Sequence, residues 1–139
     1  MTIEELQEQF PLATAETWHQ HSNGSGWVEN TATVESSAQV SGNARVSGNA
    51  QVYGNTQVSG NAWEVSPLQI QGTRHFCSSA TYTEIQIGCY VKEIFWWLEN
   101  YQKIGEQEGY SPAEIVEYGL YIRLFAQRYQ PELLIEESQ

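Results

Sequence analysis

A six-residue repeat runs without a slip from Val28 to Trp63 and limits what this chain can fold into more than any other feature. Valine opens each of six consecutive hexads, and Ala or Thr follows four positions later every time. This period matches neither an α-helix nor a simple hairpin, but it matches one side of a three-sided β-solenoid. In such a coil the valine and the small residue before the next valine lie on one strand face and point inward. Gly-Asn pairs supply the corners, because both residues tolerate positive φ.

The hexads V-S-G-N-A-R, V-S-G-N-A-Q and V-Y-G-N-T-Q resemble the hexapeptide-repeat, left-handed β-helix family over residues 28–63. The resemblance implies left-handed coiling and favours a homotrimer. Six hexads complete two coils, whereas repeat arrays need about three units and capping segments to be stable. We therefore predict a mainly β fold: a short left-handed parallel β-helix of about two to three coils, with a short N-terminal helix and a C-terminal αα-hairpin.

Capping signals define the helices on both sides of the repeat. Thr2 and Glu5 have the spacing of a capping box, and so do Ser111 and Glu114, which enclose Pro112. The helical hairpin is expected to bury Val91, Ile94, Phe95, Leu98 and Tyr101 from its first helix, and Ile115, Ile122, Phe125 and either Tyr118 or Leu120 from its second. The predicted segments are an N-terminal helix with an irregular lead-in (1–27), the β-helix with terminal strands (28–90), the helical hairpin (91–130) and an acidic tail (131–139).

The charge of the chain narrows its possible partners. Six Lys and Arg residues stand against 17 acidic residues, all of them Glu, which gives a net charge of −11. Such a surface repels phosphate backbones, so we expect no direct binding to nucleic acid. It leaves two alternatives, an ordinary acidic protein and a decoy that binds a basic protein. The sequence has no signal peptide and no long apolar run, which predicts a cytoplasmic protein without membrane contact and with Cys77 and Cys89 reduced.

Four motifs after the repeat carry a second resemblance. S-P-L-Q-I-Q-G-T-R-H, I-Q-I-G-C, W-W-L-E-N-Y and G-Y-S-P-A-E-I-V-E-Y-G lie within residues 62–126. They resemble the tail of small phage-encoded proteins that carry variable numbers of A-x-V-x-G-N hexads before it. The resemblance implies a viral origin, with the host cytoplasm as the location, and a tail that carries the function. It transfers no catalytic residue.

The candidate ligand-binding residues all lie in that tail. Arg74 and His75 form a basic dipeptide after a glycine, a pattern that suits an anion clamp, although an internal salt bridge from Arg74 to a Glu is the alternative. Successive helical positions point about 100° apart, so the rings of residues 95–97 cannot all join one apolar face, and one is left to stack on a base or to pack against another subunit. The predicted ligand-binding set is Arg74, His75 and Lys92 for a phosphate and Tyr82, Trp96 and Trp97 for a base.

We therefore predict a non-enzymatic protein with no metal and no cofactor. Its expected role is that of a homo-oligomeric anti-defence protein that sequesters a small anionic or nucleotide-like signalling molecule. One alternative is an acidic inhibitor that occludes a basic host defence protein. Another is a hexapeptide-repeat acyltransferase, in which Cys89 and His75 would be nucleophile and base. A metal site at His19, His21 and His75 is disfavoured by their spacing.

Overall fold

The computed structural model describes residues 1–135, and the chain divides into two compact units, Met1–Pro67 and Leu68–Gln139. The first unit contains α1 (Ile3–Gln9), β1 (Trp18–Gln20), β2 (Trp27–Glu29), β3 (Thr33–Val34), β4 (Gln39–Ser41), β5 (Arg45–Val46), β6 (Gln51–Val52), β7 (Gln57–Ser59) and β8 (Ala62–Trp63). The second contains β9 (Gln69–Gln71), β10 (Phe76–Ser79), β11 (Glu84–Ile87), β12 (Tyr90–Glu93), α2 (Ile94–Gln107), α3 (Pro112–Tyr129) and a 3-10 turn, Pro131–Leu134.

In the first unit, strands of the repeat pair in parallel with strands three hexads later. Val28 pairs with Val46, and Val40 pairs with Val58, so the two partners are 18 positions apart in each case. Five of the six valine side chains are buried as the period predicts: Val28, Val40, Val46, Val52 and Val58 are at most 1% exposed, whereas Val34 is only half-buried. The small residues Ala38, Ala44 and Ala50 are buried beside them. The repeat thus builds a narrow core from valine and alanine.

The predicted left-handed parallel β-helix is nevertheless wrong as the fold of this chain. Within residues 1–135 the twelve strands form four small sheets of mixed parallel and antiparallel pairing, with three α-helices, and no continuous solenoid is present. Six hexads give two sides only two strands each, β3 with β6 and β4 with β7. On the third side, β1 joins β2 in antiparallel pairing, which ends the parallel stacking. Six hexads are too few to extend the parallel stacking beyond the strands that the flanking segments contribute.

The N-terminal segment forms a second core in the first unit. The capping box of α1 is present, with Thr2 Oγ1 accepting from the Glu5 N–H. Leu6 packs with Ala13, Trp18 and Trp27 in one buried cluster. The segment predicted as an irregular lead-in therefore contains a hairpin, because β1 and β2 pair across it and carry Trp18 and Trp27 into this cluster.

The second unit is a four-stranded antiparallel sheet with two helices packed against it. The strand order is β12-β11-β10-β9, and Cys77 pairs with Ile70 on one side and Ile87 on the other. The buried cluster between sheet and helices comprises Cys77, Ile85, Ile87, Ile94, Trp97, Tyr118, Ile122, Phe125 and Ala126. These strands run antiparallel, so they do not form the third coil of a β-helix.

The helical hairpin is present, but its first helix and its buried faces differ from the prediction. Residues 90–93 form β12, so α2 begins at Ile94. Phe95 is 59% exposed, and Trp97 is buried in the core cluster instead, where its Nε1 donates to the Ile85 carbonyl oxygen. In α3, Tyr118 is buried and Leu120 is exposed. Of the predicted acidic tail, residues 136–139 lie outside the described residues.

Candidate functional site

A small cavity of about 80 Å³ lies inside the second unit. Its walls come from the β9–β10 turn, β11 and the β11–β12 turn, α2, the α2–α3 loop, and α3. The lining residues are His75, Ile87, Gly88, Cys89, Tyr90, Trp97, Tyr101, Ile104, Gly105, Glu108, Tyr110, Ile115, Tyr118 and Ile122. Most of these side chains are aliphatic or aromatic, and only a few polar atoms join them. A mainly apolar cavity with a few polar groups is the usual form of a small-molecule site.

The hydroxyl of Tyr118 fixes the β9–β10 turn to α3. It accepts from the backbone N–H of Arg74 at 2.8 Å and from that of His75, and it donates to the His75 carbonyl oxygen at 3.0 Å. Gly72 makes this close approach possible, since a Cβ at that position would lie 2.4 Å from the Tyr118 hydroxyl oxygen. The positions of Arg74 and His75 therefore depend on a side chain from α3.

Glu117 ties the same turn to α3 a second time. Its carboxylate accepts from the Thr73 backbone N–H at 2.9 Å and from the Thr73 hydroxyl, and it also accepts from the Tyr121 hydroxyl at 2.6 Å. These hydrogen bonds, the one from the Thr73 side chain foremost, hold the pKa of Glu117 below its ordinary value. Residues Thr73 to His75 thus form an anchored turn.

His75 lines this cavity, and its ring contacts Tyr110. The His75 Nδ1 and the Tyr110 hydroxyl form a hydrogen bond, and the two rings stack with centroids 5.7 Å apart. Burial, followed by the proximity of Tyr118, raises the pKa of Tyr110, so its hydroxyl remains protonated at neutral pH. The His75–Tyr110 hydrogen bond runs in the direction that the histidine tautomer sets, since a protonated phenol can donate or accept.

Arg74 also lies over the Tyr110 ring, but its guanidinium already has hydrogen-bond partners. Its guanidinium carbon is 4.8 Å from the Tyr110 ring centroid. Nη1 donates to the Gly109 carbonyl oxygen at 3.0 Å and to Glu114 Oε1 at 3.4 Å. The internal salt bridge considered from the sequence is therefore present. Its side chains are 38% and 28% exposed, and solvent-exposed pairs of this kind contribute little to stability.

The rim of the cavity is formed by exposed side chains. The Tyr90 hydroxyl donates to Glu108 Oε1 at 3.0 Å, and this hydrogen bond raises the pKa of Tyr90. Cys89, next to Tyr90, is also exposed. The rim is thus held by one solvent-accessible hydrogen bond between the β11–β12 turn and α2.

The structure brings together only part of the predicted ligand-binding set. His75 and Trp97 line the cavity, and Arg74 contacts Tyr110, which also lines it. Three other predicted residues are not among the lining residues that the structure describes. Lys92 lies 5.1 Å from the Trp96 ring centroid, and Tyr82 stacks on Tyr129 with centroids 6.1 Å apart.

The histidines of the rejected metal site have other partners. His19 Nδ1 bonds to Asn30 Oδ1 at 2.7 Å, and His21 Nε2 bonds to the Ala38 carbonyl oxygen at 2.7 Å. Among residues 1–135 no group of three or more His, Cys, Asp or Glu side chains is arranged to hold a metal ion.

Sequence reasoning missed the tyrosines and the glutamate that complete the site. Tyr90, Glu108 and Tyr110 carry no signal in the linear pattern, because their partners are distant in the chain. Tyr118 does carry one: a tyrosine on a buried helical stripe needs a hydrogen-bond partner for its hydroxyl. The unpaired backbone groups of a turn rich in polar residues, such as residues 72–75, are candidates for that partner.

No protein-family model, curated protein or solved structure matches the chain. The resemblances of residues 28–63 and 62–126 therefore remain predictions. In the described part of the chain, no helix combines the length and apolar character needed to cross a bilayer.

Proposed function

We propose that this protein is a non-enzymatic binding protein that sequesters a nucleotide-like small molecule in its second unit. The base of the ligand enters the cavity, and its phosphate binds at Arg74. The observation that supports this proposal is the position of Tyr110. Its ring lines the cavity, stacks on His75 and lies under the guanidinium of Arg74. An apolar ring site and a cation therefore meet at one residue.

The cavity offers a planar ring aromatic walls and a polar edge. Trp97 and Tyr101 contribute rings to these walls, whereas the Tyr110 ring already contacts His75 and Arg74. Base–aromatic stacking contributes about 1–3 kcal/mol per base. The Nε2 atom of His75 gives a hydrogen-bonding group for the edge of a base. These features suit a heteroaromatic base better than an aliphatic chain, because an aliphatic chain cannot form a hydrogen bond with His75.

The size of the cavity requires the rim to move when a ligand enters. A cavity of about 150 Å³ holds a benzene ring, whereas this one measures about 80 Å³. The hydrogen bond between Tyr90 and Glu108 is solvent-accessible, so water replaces it at little cost when the two side chains separate. Binding of a base is therefore expected to displace the Tyr90 side chain. This displacement widens the opening between the β11–β12 turn and α2.

A phosphate competes with Glu114 for Arg74. The present contact is a single long one at 3.4 Å, whereas a phosphate accepts two parallel hydrogen bonds from a guanidinium. The net charge of −11 opposes any anion at long range. The phosphate must therefore gain its binding free energy from direct contact with Arg74.

The resemblance of residues 62–126 to phage-encoded proteins favours a counter-defence role. In that role the protein binds a host nucleotide-like signal without consuming it, and a homo-oligomer raises the number of sites per particle. Release of intact ligand on heat denaturation is the expected mark of sequestration.

Calorimetry against nucleobases, nucleosides, nucleotides and cyclic nucleotides tests the proposal. Arg74→Ala should weaken binding of the phosphorylated ligand by about 10- to 100-fold, which is about 1.4–2.8 kcal/mol, and leave binding of its nucleoside unchanged. Arg128→Ala is the matched control, because Arg128 also lies over a tyrosine, Tyr129, away from the cavity lining.

A second pair of variants tests the cavity itself. Ile104→Phe narrows the cavity and should abolish binding of nucleotide and nucleoside alike, whereas Leu98→Phe, on the same helix but outside the lining, should not. Circular dichroism checks that both variants fold. An absence of binding across the panel, or a ligand recovered in altered form, rejects the proposal.

The charge of the chain supports a second candidate, an acidic inhibitor of a basic protein. With a net charge of −11, capture of such a partner should weaken steeply as salt rises, because screening removes the charge attraction. Salt-sensitive binding of a basic protein that persists in Ile104→Phe would favour this candidate over ligand capture.

A further inference from the structure

One face of α3 carries an apolar stripe that remains exposed among residues 1–135. Val116, Leu120 and Leu124 are 63%, 61% and 49% exposed. They are spaced four residues apart, so they lie in one row along the helix. The opposite face of α3, with Tyr118, Ile122 and Phe125, is the one packed in the core. Scattered exposed leucines are ordinary, but a continuous row of large aliphatic side chains on one helix marks an interaction surface.

The charges of α3 are divided between its two halves. Glu114 and Glu117 lie in the N-terminal half, and Arg123 and Arg128 lie in the C-terminal half. A partner of uniformly basic or uniformly acidic character is therefore repelled by one of the two halves. The complementary partner is a helix whose charges run in the opposite order, and an antiparallel copy of α3 has that order.

We propose that two copies of this chain pair through α3, antiparallel and about a two-fold axis near Leu120. The axis sets Leu120 against Leu120 of the second copy, and Val116 at the level of Leu124 of the second copy. Each acidic half then lies level with a basic half. Glu114, Glu117 and Arg123 keep their contacts within their own chain, so the attraction is one of charge alone. The antiparallel arrangement also places each helix end beside the opposite end of its neighbour's macrodipole, which is favourable. A C2 interface of this kind is self-complementary by construction.

The exposed area of the stripe limits the affinity of the proposed dimer. The three side chains together expose on the order of 300 Å², and with flanking residues the contact reaches about 500 Å² per copy, below the roughly 800 Å² per partner of a standard interface. We therefore expect a reversible dimer with a dissociation constant in the range of about 1–100 μM.

Sedimentation velocity between about 1 and 300 μM, a range chosen to span the expected dissociation constant, tests the pair in the full chain. The wild type should shift from monomer to dimer, and Leu120→Glu should remain a monomer throughout, because it sets two carboxylates against each other at the axis. Phe95→Glu, an equally exposed apolar residue on α2, is the matched control and should dimerise as the wild type does. A wild type that stays monomeric, a trimer, or a dimer that survives Leu120→Glu overturns the proposal.

Cysteine cross-linking tests the register. In a Cys89→Ser background, which removes the exposed native thiol, Leu120→Cys should form a disulfide-linked dimer under mild oxidation. Val116→Cys alone should not, but Val116→Cys combined with Leu124→Cys should. Cross-linking by Val116→Cys alone, together with none by Leu120→Cys, overturns the antiparallel register.

Discussion

The hydroxyl group of Tyr118 accepts a hydrogen bond from the backbone N–H of His75 and donates one to the carbonyl oxygen of the same residue. The two residues are 43 positions apart. The Tyr118 hydroxyl thus takes the place of a paired strand at this turn, because it forms hydrogen bonds with backbone groups that the sheet leaves unpaired. The position of His75 in the cavity wall therefore depends on the hydrogen bonds between this turn and α3.

Tyr118→Phe should destabilise the second unit. The substitution keeps the ring but leaves the N–H groups of Arg74 and His75 without their acceptor. A fully buried unsatisfied donor costs about 1–3 kcal/mol, and these two are part-buried. We expect a loss of about 1–3 kcal/mol in urea unfolding, together with weaker ligand capture.

Tyr121→Phe is the control for that measurement. Tyr121 is partly exposed and donates one hydrogen bond, to Glu117. Its loss should have a clearly smaller effect, because water replaces the donor. Equal effects of the two substitutions would contradict the anchoring role of Tyr118.

Stability should fall at acidic pH partly through Glu117. Its hydrogen bonds, chiefly that from the Thr73 side chain, lower the pKa of the folded state below the ordinary 4.5. A carboxyl group with a depressed pKa in the folded state contributes stability above its unfolded pKa, and this stability is lost as pH falls through the folded pKa. Glu117→Gln should therefore flatten the decline in urea midpoint below about pH 4.5 relative to the wild type.

The matched control for this pH profile is Glu99→Gln, which removes the charge of an exposed glutamate on α2. It should leave the acidic decline unchanged. A wild-type profile that is already flat below pH 4.5 would show that Thr73 does not stabilise the Glu117 carboxylate.

The two thiols should differ sharply in reactivity. Burial, with a smaller contribution from Glu117, raises the pKa of the Cys77 thiol to about 12, whereas Cys89 is exposed at the cavity rim. Since the thiolate is the reactive form, a maleimide at pH 7.5 should label one thiol in the folded protein and both after unfolding in urea. Mass spectrometry counts the labels, and Cys89→Ser should abolish labelling of the folded protein. Rapid labelling of Cys77 in that variant would show that the sheet opens.

Val46→Ala should destabilise the first unit. Val46 is fully buried and pairs with Val28 on one side and Trp63 on the other. Removal of two methyl groups and the cavity left behind should cost about 1.5–3 kcal/mol. Val65→Ala, at a position 61% exposed in the same unit, is expected to change the unfolding midpoint very little. Similar losses for the two variants would mean that the hexad valines do not form a packed core.

The parts of the fold that could be predicted are those encoded by neighbouring residues. The valine period gave the buried positions of the repeat, and the Ser111–Glu114 spacing gave the start of α3, because both depend on contacts within a few residues. The course of the chain around the repeat could not be predicted in the same way. The antiparallel pairing of β1 with β2 and of β9 to β12 depends on turns and on long-range register.

The candidate site shows the same division. The dipeptide Arg74-His75 and Lys92 are predicted from their charge, and Tyr82 and Trp96 from their aromatic rings. In the structure Lys92 contacts Trp96 and Tyr82 contacts Tyr129, and none of the three lines the cavity. Trp96 packs edge-on against Trp97, which does line it. Residue type indicates what a side chain can bind, and the packing of the sheet against the helices decides which side chains meet.

The sequence by itself determined the buried valines of the repeat, the helix starts and the excess of negative charge, since each is set by composition or by spacing of a few positions. Tertiary structure alone decided that Tyr118 rather than Leu120 enters the core, that the turn at residues 72–75 rests on α3, and that Leu120 is left on an outer face. The physical reason is that a helix can bury only one side. Which side it buries depends on hydrogen bonds and packing with residues more than 40 positions away in the chain, such as those between Tyr118 and the turn residues 74 and 75.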